Sequence, residues 1–599
     1  MRQYFHDVLI IGTGAAGYDC AGLLRGLGKE DVAMVTEGKD LGTSRNAGSD
    51  KQTFYKLALS SASPDSVAEL AEDLFRYGGV DGDVALAMAA GSVQSFMRLV
   101  ELGVPFPKNE YGEFVGYQTD HSVRQRATSA GPLTSRYMTE ALERQALERG
   151  VRLYDGLSCV KILTDGKRVR GIVCFDMDHP AGPPVLFACN ALVVAAGGEP
   201  GVYASTVYPD GQSGCMGVLA DAGITLANLQ HWQYGLASVG FKWNLSGSYQ
   251  QALPRYISVD PAGKRREFLR EAYACDGDLL RDIFRKGYEW PFDVKKMQGS
   301  SKIDLLVLEE LRRGNRVFLD YTADPAGLEA GVQAAGQECY TYLKNCGALQ
   351  GRPIQRLQAM NPAAVRLYRD HGIDLAREPL EIGVCAQHQN GGAYVDCNWQ
   401  SDLPGLYVIG EAAGTFGPYR PGGSALAAGQ VGAMRCAEHI AQRPLEPARD
   451  LPPVSWGGPV RRTPASPSRP SPGEDIPQRM DRYAGILRNL EQMEVMVHEL
   501  AAGLMDPLEP SAGLWEWKDR NRRRYQYELL RAFLFAAREQ GSVGGAVCMD
   551  AAHSLLPATR GRENKLLLSG QGGCRLVEPR PIPVGNQWFE AVWNGRQAP

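Results

Sequence analysis

Close to its start the chain reads Asp7-Val-Leu-Ile-Ile-Gly-Thr-Gly-Ala-Ala-Gly17, an apolar run ending in Gly12-x-Gly14-x-x-Gly17 and passing into an Ala/Leu-rich helical pattern. Glycines at that spacing suit phosphate chemistry. They permit a tight turn, let the backbone of Gly12, Gly14, Ala15 and Ala16 approach a pyrophosphate, and let Gly17 pack close, with a helix N-terminus facing the phosphates. The elements that must hold them are a strand, a turn, a helix and a second strand, Val32-Ala-Met-Val-Thr36. An acid near the end of that second strand is expected to hold an adenosine ribose, and Glu37 stands there. Glycines also serve ordinary turns, so this signal needs a partner. It comes nearly four hundred residues later, as Gly405-Leu-Tyr-Val-Ile-Gly-Glu-Ala-Ala-Gly414 followed by Arg420-Pro-Gly-Gly-Ser-Ala-Leu426.

The two segments together resemble the flavoprotein family of fumarate reductase, succinate dehydrogenase and L-aspartate oxidase. The family's late element reads Gly-Leu-Tyr-Ala-x-Gly-Glu, then Asn-Arg-Leu-Gly-Gly-Asn-Ser-Leu. The resemblance runs through residues 6–440 and fades in the C-terminal quarter. It implies an FAD cofactor gripped at both ends, with Glu411 contacting FAD and Ser424, Ala425 and Leu426 packing on the flavin. Thr43 to Asp50, including Ser44, takes the place of the loop beside the flavin; an ordinary polar loop is the alternative. Asn190-Ala-Leu-Val-Val-Ala-Ala-Gly-Gly198 matches the second wall of the FAD site. Succinate dehydrogenases attach FAD through a histidine in Ser-His-Thr. Here Ser44-Arg45-Asn46 stands instead, so non-covalent FAD is expected.

The resemblance also implies chemistry. Hydride passes from flavin N5 to an activated alkene, and an arginine in an Arg-Asp dipeptide opening a capping-domain helix delivers the proton. The match is Arg281-Asp282, with Asp278 one turn earlier. A guanidinium is a poor acid, with a pKa above about 12, and needs such a carboxylate to restore its proton. A solvated helix face is the alternative for Arg281. Arg420 matches the arginine that binds a substrate carboxylate; bracing the Gly422-Gly423 turn is its alternative. The departures are as informative. Gln-Phe-His-Pro-Thr becomes Gln233-Tyr-Gly-Leu-Ala237, losing a histidine and a threonine, and His-Tyr-Thr-x-Gly-Gly becomes Gln387-His-Gln-Asn-Gly-Gly392. Gln387 then replaces a histidine, and His388 faces substrate or not depending on register. Tyr234, Gln387, His388 and Arg420 are the candidate substrate residues, with Arg281, Arg420 and His388 the catalytic candidates. Trp232, Tyr234, Phe241 and Trp243 could form an apolar wall for a larger, aromatic or unsaturated substrate, or could be core. Cys215 stands where the family commonly has an FAD-contacting aspartate.

The expected fold is α/β. A Rossmann-like FAD-binding domain (1–235 and 383–443) carries an inserted α+β capping domain (236–382). A Pro/Ser/Arg-rich linker (444–478) and a C-terminal helical domain and tail (479–599) follow. A length of 599 residues requires several cores. A hydrophobic content of 44% with 22% charged residues reads as soluble and globular. A net charge of −4 gives no general attraction to nucleic acid, and no apolar run spans a bilayer. The first strand's position leaves no room for a signal peptide, so a cytoplasmic location is expected. None of the thirteen cysteines lies in the close clusters of an iron–sulfur or zinc site. Electrons must then come from outside: NAD(P)H, a reduced flavin, or an iron–sulfur or haem protein. The expected activity is reduction of an activated C=C bond in a non-dicarboxylate. The alternatives are a dehydrogenase or oxidase of an amine, amino acid or saturated acid, and a flavin protein that passes electrons within a larger complex.

Overall fold

The computed structural model describes residues 2–60, 64–444, 451–452, 475–505, 508, 512–585 and 589–595. The strand Arg2–Ile11 ends in Val8-Leu9-Ile10-Ile11, which is apolar on both faces and at most 5% exposed. Such a run belongs inside a parallel sheet covered on both sides. It pairs in parallel with Val32–Val35 on one side and Val185–Val194 on the other. Leu406–Val408 joins Val185–Val194, also in parallel, and completes a seven-stranded sheet. Three neighbouring strands therefore end together, at Gly12, at Ala195–Gly198 and at Gly410. Ligands bind at such carboxyl ends of open parallel sheets. Gly12 has φ +101°, and a Cβ there would stand 2.5 Å from the Ala195 carbonyl oxygen, so only glycine fits.

A second core is built on a six-stranded antiparallel sheet. Its order is Trp243–Asn244, Trp232–Ser238, Leu380–Gln389, Arg316–Asp320, Arg255–Val259 and Arg265–Arg266. The helices Asp276–Arg285, Ser301–Arg312 and Pro362–Asp370 contribute buried residues to this core. Trp232–Ser238 and Leu380–Gln389 run across the expected boundaries at 235/236 and 382/383 and so tie the two cores together. Buried Asp50 adds a second tie, accepting from the Ser248 N–H and hydroxyl at 2.7 and 2.8 Å.

The C-terminal region departs from expectation. The amphipathic stretch Arg479–Leu504 is two helices, Ile476–Tyr483 and Leu490–Gly503. Between them Leu487–Asn489 pairs in parallel with Val547–Met549, and the Asn489 side chain caps the second helix at Gln492 N. Leu514–Glu539 is one long helix, as its periodicity requires. The tail is not purely helical. Leu566–Gly570 and Gly573–Val577 form a hairpin that extends a small sheet with Leu226–Ala227 and Gly392–Ala393. Residues 445–450 and 453–474 of the expected linker lie outside the described residues. Among the described residues no helix is long and apolar enough to cross a membrane.

Candidate active site

A cavity of about 960 Å³ opens at the carboxyl ends of the parallel strands and is walled by both cores. Gly12, Gly14, Ala15, Ala16, Thr36, Glu37 and Ser44 line one end. Gly14 caps the helix Ala15–Gly26, and the first helical N–H, of Ala15, donates to Ser44 Oγ at 3.2 Å. A Cβ at Gly17 would stand 2.2 Å from the Gly12 carbonyl, so Gly17 holds the turn from behind. Thr36 is fixed by the Thr13 hydroxyl at 3.0 Å. Glu37 Oε1 accepts from Ser158 and Ser213 at 2.5 and 2.6 Å and pairs with Lys518 at 2.9 Å. Its Oε2 is buried without a partner among the described residues. A glycine cradle, a helix N-terminus and a free carboxylate oxygen fit the pyrophosphate and ribose of FAD. Cys215 lines this end as a buried thiol. Arg45, at the position of the family's attachment histidine, is spent on Glu143.

At the other end, Gly198 gives Glu411 its room. A Cβ on Gly198 would stand 2.8 Å from Glu411 Oε1. That oxygen accepts from Tyr208 Oη and from the Gln389 N–H. Burial pushes the Glu411 carboxyl up to about 7. Ala425 and Leu426 line the cavity, while Ser424 lies beneath them, donating to the Pro421 carbonyl at 2.7 Å. Arg420 projects in from the same turn and gives Nε and Nη2 to Gln233 Oε1 at 2.9 and 2.5 Å. Burial draws its guanidinium down to about 10, and it remains a cation at neutral pH.

The register at Gln387 and His388 is decided by a β-bulge. Trp232 pairs with Gln389 and Gln233 with His388, but Tyr234 pairs with Ala386. Gln387 is the extra residue, and a bulge breaks strict alternation. Both Gln387 and His388 therefore reach the cavity. His388 Nδ1 meets Asn390 Oδ1 at 3.0 Å, and Asn390 Nδ2 is committed to the Gly417 carbonyl at 2.8 Å. That arrangement puts the imidazole proton on Nδ1 and the lone pair on Nε2, which is 4.0 Å from Glu411 Oε1. Burial, and then the Arg420 charge, hold the His388 pKa well below its ordinary value, so the ring is neutral.

Two expectations fail. Arg281 is not brought to the cavity. It sits within the helix Asp276–Arg285 rather than opening it, is 42% exposed, and pairs with Asp278 at 2.8 Å. Its spacing from Asp278 is what a solvated helix face produces. Tyr234 also faces away. Its hydroxyl meets Tyr203 at 2.7 Å in the core, where Trp232 packs on the same tyrosine. Phe241 stacks between Trp243 and His371. The aromatic lining comes instead from Tyr117, Phe284, Tyr288, Trp290 and Tyr342, with Glu289 also on the wall. The Tyr288-Glu289-Trp290-Pro291 run offered no periodicity by which to find it. Gln233 was legible only as part of a motif.

The model of the FAD binding domain family matches residues 7–426. The L-aspartate oxidase of Agrobacterium fabrum is 24% identical over 506 residues, covering 82% of this chain and 83% of that protein. A component subunit of the CoM/CoB fumarate reductase of Methanothermobacter marburgensis is 22% identical over 453 residues, covering 74% of each. In fold, the chain is similar to the FrdA chain of an E. coli quinol fumarate reductase, with TM-score 0.66, 17% identity and 98% of both chains covered. It is likewise similar to Mycobacterium smegmatis Sdh1, with TM-score 0.67, 17% identity and 100% of this chain and 98% of that one covered. With the glycine cradle and both FAD-gripping segments in one cavity, the chain belongs to the FAD binding domain family and is an FAD-dependent oxidoreductase of the fumarate reductase and L-aspartate oxidase type.

Proposed function

We propose that the chain is a reductase of an activated carbon–carbon double bond in a substrate that is not a dicarboxylate. The supporting observation is the set Arg420, Gln233, Gln387 and Gly235 around one cavity. One cation is kept, and Gly235 and Gln387 replace two histidines of the dicarboxylate-binding motifs. FAD, when bound, supplies the hydride. Arg420, oriented by Gln233, holds a substrate carbonyl or single carboxylate and stabilises negative charge developing on its oxygen. Glu411 keeps a proton on its carboxyl near neutral pH, next to His388 Nε2. This pair takes the proton-supplying role expected of Arg281. The segment 236–382 caps the cavity, with Lys296 of that segment paired to Asp120 at 2.7 Å.

A second reading is favoured by the neutral His388. Its Nε2 lone pair could take a proton from an amine, as a dehydrogenase or oxidase of an amine or amino acid requires. Dithionite-reduced protein mixed under argon with enones and enoates, and separately with air-saturated buffer, tests the two. Reoxidation by the alkenes supports the reductase; rapid reoxidation by air with peroxide release supports the oxidase. In either case electrons enter or leave through an external partner, such as NAD(P)H, a reduced flavin or an iron–sulfur or haem protein. The methanogen relative, itself one component of a larger enzyme, supports such a partner. A cytoplasmic site of action is part of the same proposal, and fractionation of cells carrying the tagged chain tests it.

A further inference from the structure

We propose that the Gln387 end of the cavity recognises a carboxamide or lactam edge, an N–H donor beside a carbonyl acceptor, carried on a flat conjugated body. The inference rests on the reductase reading for the cavity it names, and it specifies the substrate class.

Gln387 is 8% exposed and lines the cavity, and neither its Nε2 nor its Oε1 has a hydrogen-bond partner among the described residues. Buried polar groups are normally paired, so an amide with both ends free points to a ligand that pairs with both. The side chain is held in place. A Cβ on Gly235 would stand 3.1 Å from Nε2, 3.1 Å from Oε1 and 3.1 Å from Trp290 Cε2, so the amide is wedged against the glycine beside the indole. His388 adds a second acceptor, because its Nδ1–H is taken by Asn390 and its Nε2 is buried without a partner. Two of the Arg420 donor nitrogens are already spent on Gln233.

The site thus offers Gln387 Oε1 and His388 Nε2 as acceptors and Gln387 Nε2 as a donor, with the Arg420 charge behind Gln233. A carboxylate placed there sets lone pairs against both acceptors. A primary amide satisfies them, giving its N–H groups to Oε1 and Nε2 and accepting from Gln387 Nε2. Phe284, Tyr288, Trp290 and Tyr342 on the lining suit a planar, conjugated remainder.

Isothermal titration of the FAD-loaded protein with cinnamamide and methyl cinnamate tests this, since the two are both neutral and share one conjugated body. Cinnamamide should bind about tenfold or more tighter than methyl cinnamate. Gln387→Leu should remove most of the amide's advantage over the ester, His388 Nε2 remaining as the one acceptor. Gln387→Met, of similar length, should do the same, and flavin content confirms that each variant is folded. Methyl cinnamate binding as tightly as the amide, an amide advantage undiminished by both substitutions, or no binding of the amide would overturn the proposal. Adding cinnamamide to the reduced protein separates the two readings. Tight binding without reduction of its double bond leaves the amide site standing and removes the reductase.

Discussion

Gly235 and Gln387 lie on neighbouring strands as a matched pair: the missing Cβ of the glycine leaves the space that the glutamine amide fills, 3.1 Å from where that carbon would be. Each stands where the family's dicarboxylate enzymes carry a histidine. The two replacements are therefore coupled through space as well as through the loss of carboxylate binding.

Gly235→Ala is expected to be tolerated with a slight shift of Gln387, and Gly235→Val is not. Overpacking of this kind costs typically about 1–3 kcal/mol. Thermal melts of the flavin-loaded variants should show Val well below Ala. Equal melting temperatures would mean that Gln387 moves aside freely and is not held by the glycine.

Arg281 and Arg420 should separate cleanly. Arg281 is a half-exposed partner of Asp278, and Arg281→Lys should leave the single-turnover rate unchanged. Arg420→Lys keeps the charge but loses the planar fork held by Gln233. A charge-assisted hydrogen bond is worth about 1.5–3 kcal/mol, so ligand affinity should fall by roughly ten- to a hundredfold. A slowed Arg281→Lys enzyme would return the proton-donor role to that helix.

How much of this was readable from the chain depends on how local each signal is. The Gly12-x-Gly14-x-x-Gly17 turn and the strand ending at Gly198 follow from short-range rules, and the structure places them together. The facing of His388 does not. It depends on a bulge set by pairing between residues 232–238 and 380–389, which no local pattern reveals. The same holds for Trp290 and Tyr288, which come from an irregular segment, while the tryptophan and tyrosine of the Trp232–Ser238 strand went to the core. The strand 487–489 was missed because it pairs with a partner distant in sequence, whereas 566–570 and 573–577 form a local hairpin whose other neighbour, Leu226–Ala227, is distant. Arg281 misled because an Arg-Asp dipeptide is common and its place within its own helix is visible only after folding.

FAD should be bound tightly and released by acid. Arg45 has no ring nitrogen to alkylate and is held by Glu143. Acid precipitation should leave a colourless pellet and a yellow supernatant. Gly14→Val should lose the flavin, since a side chain there begins 3.1 Å from Ser44 Oγ and enters the space of the phosphates. A pellet that stays yellow contradicts the first statement, and a flavin-loaded Gly14→Val the second.

The Glu411 carboxyl should leave a mark on stability. Its pKa is about 7 in the folded chain against about 4.3 unfolded, so the folded state holds a proton that the unfolded state has released between those values. Its contribution is therefore most favourable at low pH, erodes as pH rises through that window, and costs about 4 kcal/mol above it. Glu411→Gln should flatten the fall in stability of the flavin-free protein between roughly pH 5 and 7, read by urea unfolding. His388, held neutral in the folded chain while the unfolded ring takes a proton below about 6.5, should add an opposing rise in stability up to that pH, common to wild type and variant. An unchanged slope in Glu411→Gln would show that the carboxyl is ionised throughout.

The most direct measurement is single-turnover reoxidation of the reduced flavin under argon, comparing fumarate with an enone or enamide that bears no second carboxylate. Each lost hydrogen bond to a charged group is worth roughly 1.5–3 kcal/mol, so the missing ligands at Gly235 and Gln387 should make fumarate poorer by at least a hundredfold. Reoxidation by the neutral alkene with fumarate nearly inert is the predicted result. Fast reoxidation by fumarate would contradict it and return the chain to dicarboxylate chemistry.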